Sequence, residues 1–237
     1  MNVLAIGNSF SQDATRYLNK IAKADNFDMM VVNLYIGGCS LKRHYLNIEK
    51  DAKEYELEYN GENTGFYVSI KEALTNRVWD YITLQQVSQE SINYETYQPY
   101  LNAIVEFINN VAPSSKIVLH QTWAYESGSD RLCKELMYKD QGDMFDDLKQ
   151  AYNKAANEIC ANMIIPSGEL FQSLIRKGIK VHRDTFHATY GIGRYALGLL
   201  WYHKLTGKKI LTNSFCEFDE YISNEDINCI KSCIEEF

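Results

Sequence analysis

The sequence predicts an α/β domain built on a central, mostly parallel five-stranded sheet with helices on both faces and one small β-hairpin insertion. Two observations predict it. Five short apolar, β-rich runs alternate with helical patterns along the chain, which is how a parallel sheet covered on both faces is written. The chain is also long and apolar enough, at 237 residues and 46% apolar, to bury one sizeable core. No repeat or low-complexity linker divides it, so residues 1–237 read as a single domain.

Taken in order, "NVLAI" (2–6) is a buried strand, and residues 13–24 form a helix whose Tyr17, Leu18, Ile21 and Ala22 make one apolar face. Residues 29–36, 80–86, 115–120 and 162–167 supply the second to fifth strands. A helix over 95–112 stops before Pro113, and others cover 143–160 and the stretch ending at Gly207. A last short helix lies at about 223–236. Residues 53–70 alternate polar and apolar around "NGENTG" and read as a β-hairpin insertion after the second strand.

Composition excludes several function classes. The net charge is −7 with no basic run, so the electrostatic footprint of a nucleic-acid binder is absent. The longest apolar stretch, "YALGLLWY", is far shorter than a membrane span. The N-terminus enters a strand without a signal-peptide pattern, and a cytoplasmic protein is expected. Six cysteines contain no C-x-x-C pair, which argues against zinc-ribbon and thioredoxin chemistry and fits a reduced compartment.

In doubly wound sheets, ligands sit outside the carboxyl ends of the strands. Those ends, after Ile6, Ile36, Leu84 and His120, carry "GNSFS", "GGCS", "QQVS" and "QTW". Ser9 is a nucleophile candidate there, with Gly7 permitting a tight turn; an ordinary helix N-cap is the competing reading, although Ser11 could fill that role. Among five histidines, His44 and His203 read as surface or packing residues, and His120 could line a pocket. His182 and His187 fall in the polar loop "VHRDTFHATYG". Within it, Asp184-x-x-His187 is a spacing that lets a carboxylate reach an imidazole and fix its tautomer.

These blocks, "GNSFS", "IGGCS" and "RDTFH", resemble the successive motifs of the SGNH (GDSL-like) hydrolase superfamily, closest to a bacterial branch with G-N-S-F-S and D-x-x-H blocks, over about residues 2–206. The resemblance implies a flavodoxin-like three-layer α/β/α fold and a serine esterase working through an acyl-enzyme. It implies Ser9 as nucleophile, His187 as base and Asp184 as its orienting acid, with the N–H groups of Ser9 and Gly38 as oxyanion donors. The chain departs from the superfamily in having Asn8 where many relatives carry Asp, and in lacking the G-x-N whose Asn supplies a third donor. Gln85 is the expected substitute, with Gln86 and Gln89 behind it; strand alternation sends Gln85 and Gln86 to opposite faces.

Asn8, Gln86, Ser88, His120 and Trp123 complete the expected substrate-contacting set, Trp123 and Tyr125 being read either as a platform for a sugar or acyl group or as a structural cluster. The expected substrate is a small-molecule or carbohydrate ester with a short acyl chain, such as an O-acetyl group. No cofactor is expected. Two alternatives stand beside this: a divalent metal held by His182, Asp184 and His187, and a carbohydrate-binding or catalytically impaired protein on the same fold.

Overall fold

The structure, a computed structural model, describes residues 1–237. Its first strand shows why the sequence folds this way. In β1 (Asn2–Gly7) successive side chains point to opposite faces, and Val3, Leu4, Ala5 and Ile6 are all buried. Val3 and Ala5 join one apolar layer, Leu4 and Ile6 the other. A strand buried on both faces must be central, and β1 pairs in parallel with β2 (Met30–Tyr35) on one side and β5 (Tyr81–Leu84) on the other. β6 (Lys116–His120) and β7 (Met163–Ile165) extend the parallel set.

The sheet has seven strands rather than five. Asn60 and Gly61, both at positive φ (52° and 84°), turn the chain between β3 (Tyr55–Tyr59) and β4 (Glu62–Val68), as a two-residue hairpin requires. β3 then pairs antiparallel with β2, so the insertion continues the sheet in the order β4-β3-β2-β1-β5-β6-β7. An unpaired β2 edge would leave backbone donors and acceptors open, and the hairpin covers them. Among the parallel strands the chain reverses direction of travel at β1/β5, the crevice where doubly wound folds bind ligands.

One face of the sheet is covered by α1 (Ser9–Thr15), α2 (Leu18–Ala24), α7 (Ser167–Arg176), α8 (Ile192–Thr206) and α9 (Asn224–Ile234). The other is covered by α3 (Leu41–Glu49), α4 (Ile70–Asn76), α5 (Tyr100–Val111) and α6 (Gln141–Glu158). No helix is long and apolar enough to cross a membrane.

Two helices differ from expectation. The helix expected over 95–112 starts only at Tyr100, after Pro99, with a short 3-10 turn at Tyr94–Thr96 before it. The helix expected over 13–24 starts at Ser9 and divides between Thr15 and Leu18. The hairpin tip seats against that division: Arg16 Nη1 donates to Gly61 O at 2.8 Å. A Cβ on Gly61 would meet the Arg16 carbonyl oxygen at 2.1 Å. Gly61→Ala therefore combines a positive φ with a backbone clash and is expected to cost about 2–3 kcal/mol. An unchanged urea midpoint in that variant refutes the tight seating.

Candidate active site

The turn after β1 frees one serine. Asn8, not Ser9 or Ser11, caps α1: its Oδ1 accepts from Phe10 N at 3.0 Å. Ser11 Oγ is occupied, 2.8 Å from Asn8 O and 2.7 Å from Asn33 Oδ1. Gly7 is required by close approach, since a Cβ there would lie 2.6 Å from Ser11 Oγ. Ser9 Oγ is left facing His187 Nε2 at 2.8 Å.

The His187 ring continues to Asp184, with Nδ1 2.7 Å from Asp184 Oδ2, while the His187 amide donates to Oδ1 at 2.9 Å. Burial raises the Asp184 carboxyl, but the hydrogen bonds from the His187 ring and amide outweigh it and leave the carboxyl below its ordinary value. An ionised carboxylate only accepts, so Nδ1 carries the proton and Nε2 is the acceptor for the Ser9 hydroxyl. The three side chains thus form one hydrogen-bonded line.

The loop that presents His187 is anchored from two sides. Trp123 Nε1 donates to Phe186 O at 2.7 Å, and its ring stacks on Phe10 at 4.0 Å. Phe186 in turn lies 3.8 Å from the His187 ring. Beneath, the fully buried Asp13 of α1 binds Arg183 Nη1 at 2.8 Å and Arg194 Nε at 2.8 Å, and accepts from Ala188 N at 3.2 Å. Asp13 lies one helical turn beyond Ser9, so nucleophile and histidine loop share one anchor.

A cleft of about 420 Å³ opens over Ser9 and His187. Asn8, Gly38 and Ser88 are among the residues that line it. Gly38 adopts φ 60°, its N–H makes no hydrogen bond within the chain, and the Ser9 N–H opens α1 without an intrahelical partner. Ser88 Oγ is 2.8 Å from the Tyr125 hydroxyl.

Four expected site residues are elsewhere. Gln85 is buried beneath the cleft, its Nε2 donating to Asn8 Oδ1 at 2.7 Å and its Oε1 2.9 Å from His120 Nδ1. Its amide braces the turn, and Gln85 does not line the cleft. Gln86 does point to the other face, where it accepts from Leu41 N and Val87 N and donates to Thr96. His120 is fully buried against Trp201, ring centroids 4.8 Å apart. Trp123 is fully buried too and supports the histidine loop instead of offering a platform. Tyr125 is likewise buried. The metal alternative lacks its geometry: His182 Nε2 is 3.0 Å from Ala124 O, and no three His, Cys, Asp or Glu side chains converge.

Sequence reading missed Gln12, Tyr35, Arg131, Arg183 and Phe186 in the cleft wall. Tyr35 ends β2 one residue before Gly37–Gly38, and Arg183 and Phe186 flank Asp184 and His187, so strand-end and motif position could have found these three. Nothing in the sequence marks Arg131, which returns to the cleft from a π-helical turn (Arg131–Glu135) well after β6.

Burial pushes His120 down to about 3, and burial with the Arg43 charge does the same to His44. Both are neutral when folded and take up a proton on unfolding below the ordinary value of 6.5. Their stabilisation is complete above that ordinary value and is lost as pH falls through the window toward the folded values, at about 1.4 kcal/mol per pH unit for each. Urea midpoints measured between about pH 7 and 5 are expected to fall accordingly, and His120→Gln to flatten the slope by about one proton. An unaltered slope in that variant contradicts a neutral buried His120.

The family model described as "Domain of unknown function (DUF4886)" matches residues 2–234. No curated protein matches the chain. A crystal structure of a DUF4886 family protein from Bacteroides uniformis is 33% identical, with a TM-score of 0.93 over 100% of this chain and 93% of that one. A candidate SGNH hydrolase from Slackia heliotrinireducens is 20% identical, with a TM-score of 0.63 over 86% of this chain and 98% of that one. Axe2, an acetylxylan esterase from Geobacillus stearothermophilus, is 13% identical, with a TM-score of 0.54 over 86% and 91%. The chain belongs to the DUF4886 family, and its fold is that of the SGNH hydrolases.

Proposed function

We propose that the protein is a serine esterase acting on short-chain esters, of which O-acetyl groups on carbohydrates are the leading class. The observation that carries the reading is the unbroken line Ser9 Oγ, His187, Asp184, with contacts of 2.8 and 2.7 Å. His187 takes the Ser9 proton as Oγ attacks the ester carbonyl, then gives it to the leaving alcohol. It next activates water, which releases the acid from Ser9. Asp184 holds the ring and supports the imidazolium. The Ser9 and Gly38 N–H groups hold the oxyanion. With Gln85 committed to Asn8 and His120, the third place falls to the turn at Ser88–Gln89, whose two N–H groups make no hydrogen bond within the chain.

The substrate class is supported by the cleft, in which four of 14 lining residues are hydrophobic. Such a wall favours a polar alcohol and a short acyl group over a lipid chain. The fold shared with an acetylxylan esterase points the same way.

The test is p-nitrophenyl acetate hydrolysis together with labelling by a fluorophosphonate. Turnover with one label per chain, both lost in Ser9→Ala, is the expected outcome. Labelling that survives the substitution names another serine. A folded wild type that neither labels nor turns over acetyl esters supports the binding-protein alternative, and faster turnover of octanoate than acetate refutes the short-chain reading.

A further inference from the structure

The charge lining the cleft runs against the charge of the chain. None of its 14 lining residues is acidic, although the protein carries a net charge of −7. Two of them, Arg131 and Arg183, are cationic. They are differently employed. Arg183 is neutralised: its Nη1 lies 2.8 and 3.0 Å from the Asp13 oxygens and also donates to Ala188 O, and its guanidinium packs 4.4 Å from the Tyr190 ring.

Arg131 has no such partner. Its one carboxylate neighbour is Glu135 at 4.0 Å, four residues along the same turn, and the two side chains are 42% and 62% exposed. An exposed pair at that distance contributes little. The Tyr125 hydroxyl, itself bonded to Ser88 Oγ, is its other polar neighbour. What does hold the guanidinium is Phe186, whose ring lies 4.0 Å from Cζ. Packing on that ring holds the group at the cleft, and the N–H donors not turned to Tyr125 or Glu135 remain open to a carboxylate.

The position of those donors identifies which part of a substrate they meet. Phe186 lies 3.8 Å from the His187 ring. His187 is the group that hands a proton to the departing alcohol, so the alcohol portion lies beside His187 and therefore beside Phe186 and Arg131. We propose, building on the esterase reading, that Arg131 binds a carboxylate carried by the alcohol portion of the ester, which makes the preferred substrate the short acyl ester of a hydroxy acid, such as an acidic sugar. A wall with two arginines and no acidic residue favours that anion despite the acidic protein around it.

The experiment compares 3-acetoxybenzoate with 3-acetoxybenzamide, near-isosteric esters differing in the charge of the alcohol portion, each kcat/KM divided by the ester's rate of hydroxide hydrolysis. The wild type is expected to prefer the carboxylate by about tenfold at low salt, with the preference shrinking as salt is raised. R131Q is expected to bring the ratio close to one, and R131K to retain part of it. Lys134→Gln, which removes a nearby surface cation paired with Asp130 at 2.9 Å, should leave the ratio as it was. A ratio near one in the wild type, or a preference that survives R131Q, overturns the carboxylate site while leaving the esterase reading standing. Hydrolysis of neither ester overturns the esterase reading, and the carboxylate site with it.

Discussion

His187→Ala is expected to lower kcat for acetyl-ester hydrolysis by about 10⁴- to 10⁶-fold, and the Ser9→Ala, His187→Ala double variant to be no slower than either single one. The reason is geometric. Ser9 Oγ has His187 Nε2 as its partner at 2.8 Å, while Ser11, the nearest other hydroxyl in the motif, is already engaged by Asn8 and Asn33. Removing either member of the pair removes the same step, so the effects do not add. Asp184→Asn should cost less, about 10²- to 10⁴-fold, because its side chain is 47% exposed and water can take over part of its role. Additive losses in the double variant would mean that Ser9 and His187 act separately, and the esterase mechanism would have to be abandoned.

The second large effect is expected at Asp13. Asp13→Ala should lower stability by about 3–5 kcal/mol, because it opens a cavity at a buried site, leaves the Arg183 guanidinium without a counter-charge and leaves Arg194 with Asp219 alone. Burial pushes the Asp13 carboxyl up, and the Arg194 and Arg183 charges and hydrogen bonds oppose it. Arg183→Met should cost less, since Arg194 Nε still holds Asp13 at 2.8 Å while Arg194 Nη1 lies 2.9 Å from Asp219. Activity is expected to fall with stability in Asp13→Ala, because the carboxylate ties Ala188 and Arg183, either side of His187, to the helix that begins at Ser9. Urea unfolding and acetyl-ester kcat, measured well below the melting temperature, separate the two losses. A variant with wild-type midpoint and kcat would show that the anchor is dispensable.

Local pattern sufficed for much of this molecule. The five parallel strands, the hairpin and the alternation with helices follow from apolar runs, Asn60–Gly61 and Pro-bounded amphipathic stretches, all short-range signals. Ser9, His187 and Asp184 were nameable because a strand-end turn and a three-residue spacing each constrain geometry within a few residues. What lay beyond the sequence was decided by distant contacts. The hairpin joins the main sheet because β2 offers it an open edge, which no local pattern announces. Gln85 and Trp123 read equally well as cleft residues or supports. Only the packing of Asn8 and His120 around one, and of Phe10 and Phe186 around the other, makes them supports. Arg131 and Asp13 carry no motif at all. Their meaning arises where a loop 122 residues after Ser9 and a helix one turn beyond it meet the segment around His187, and only the folded chain brings those three together.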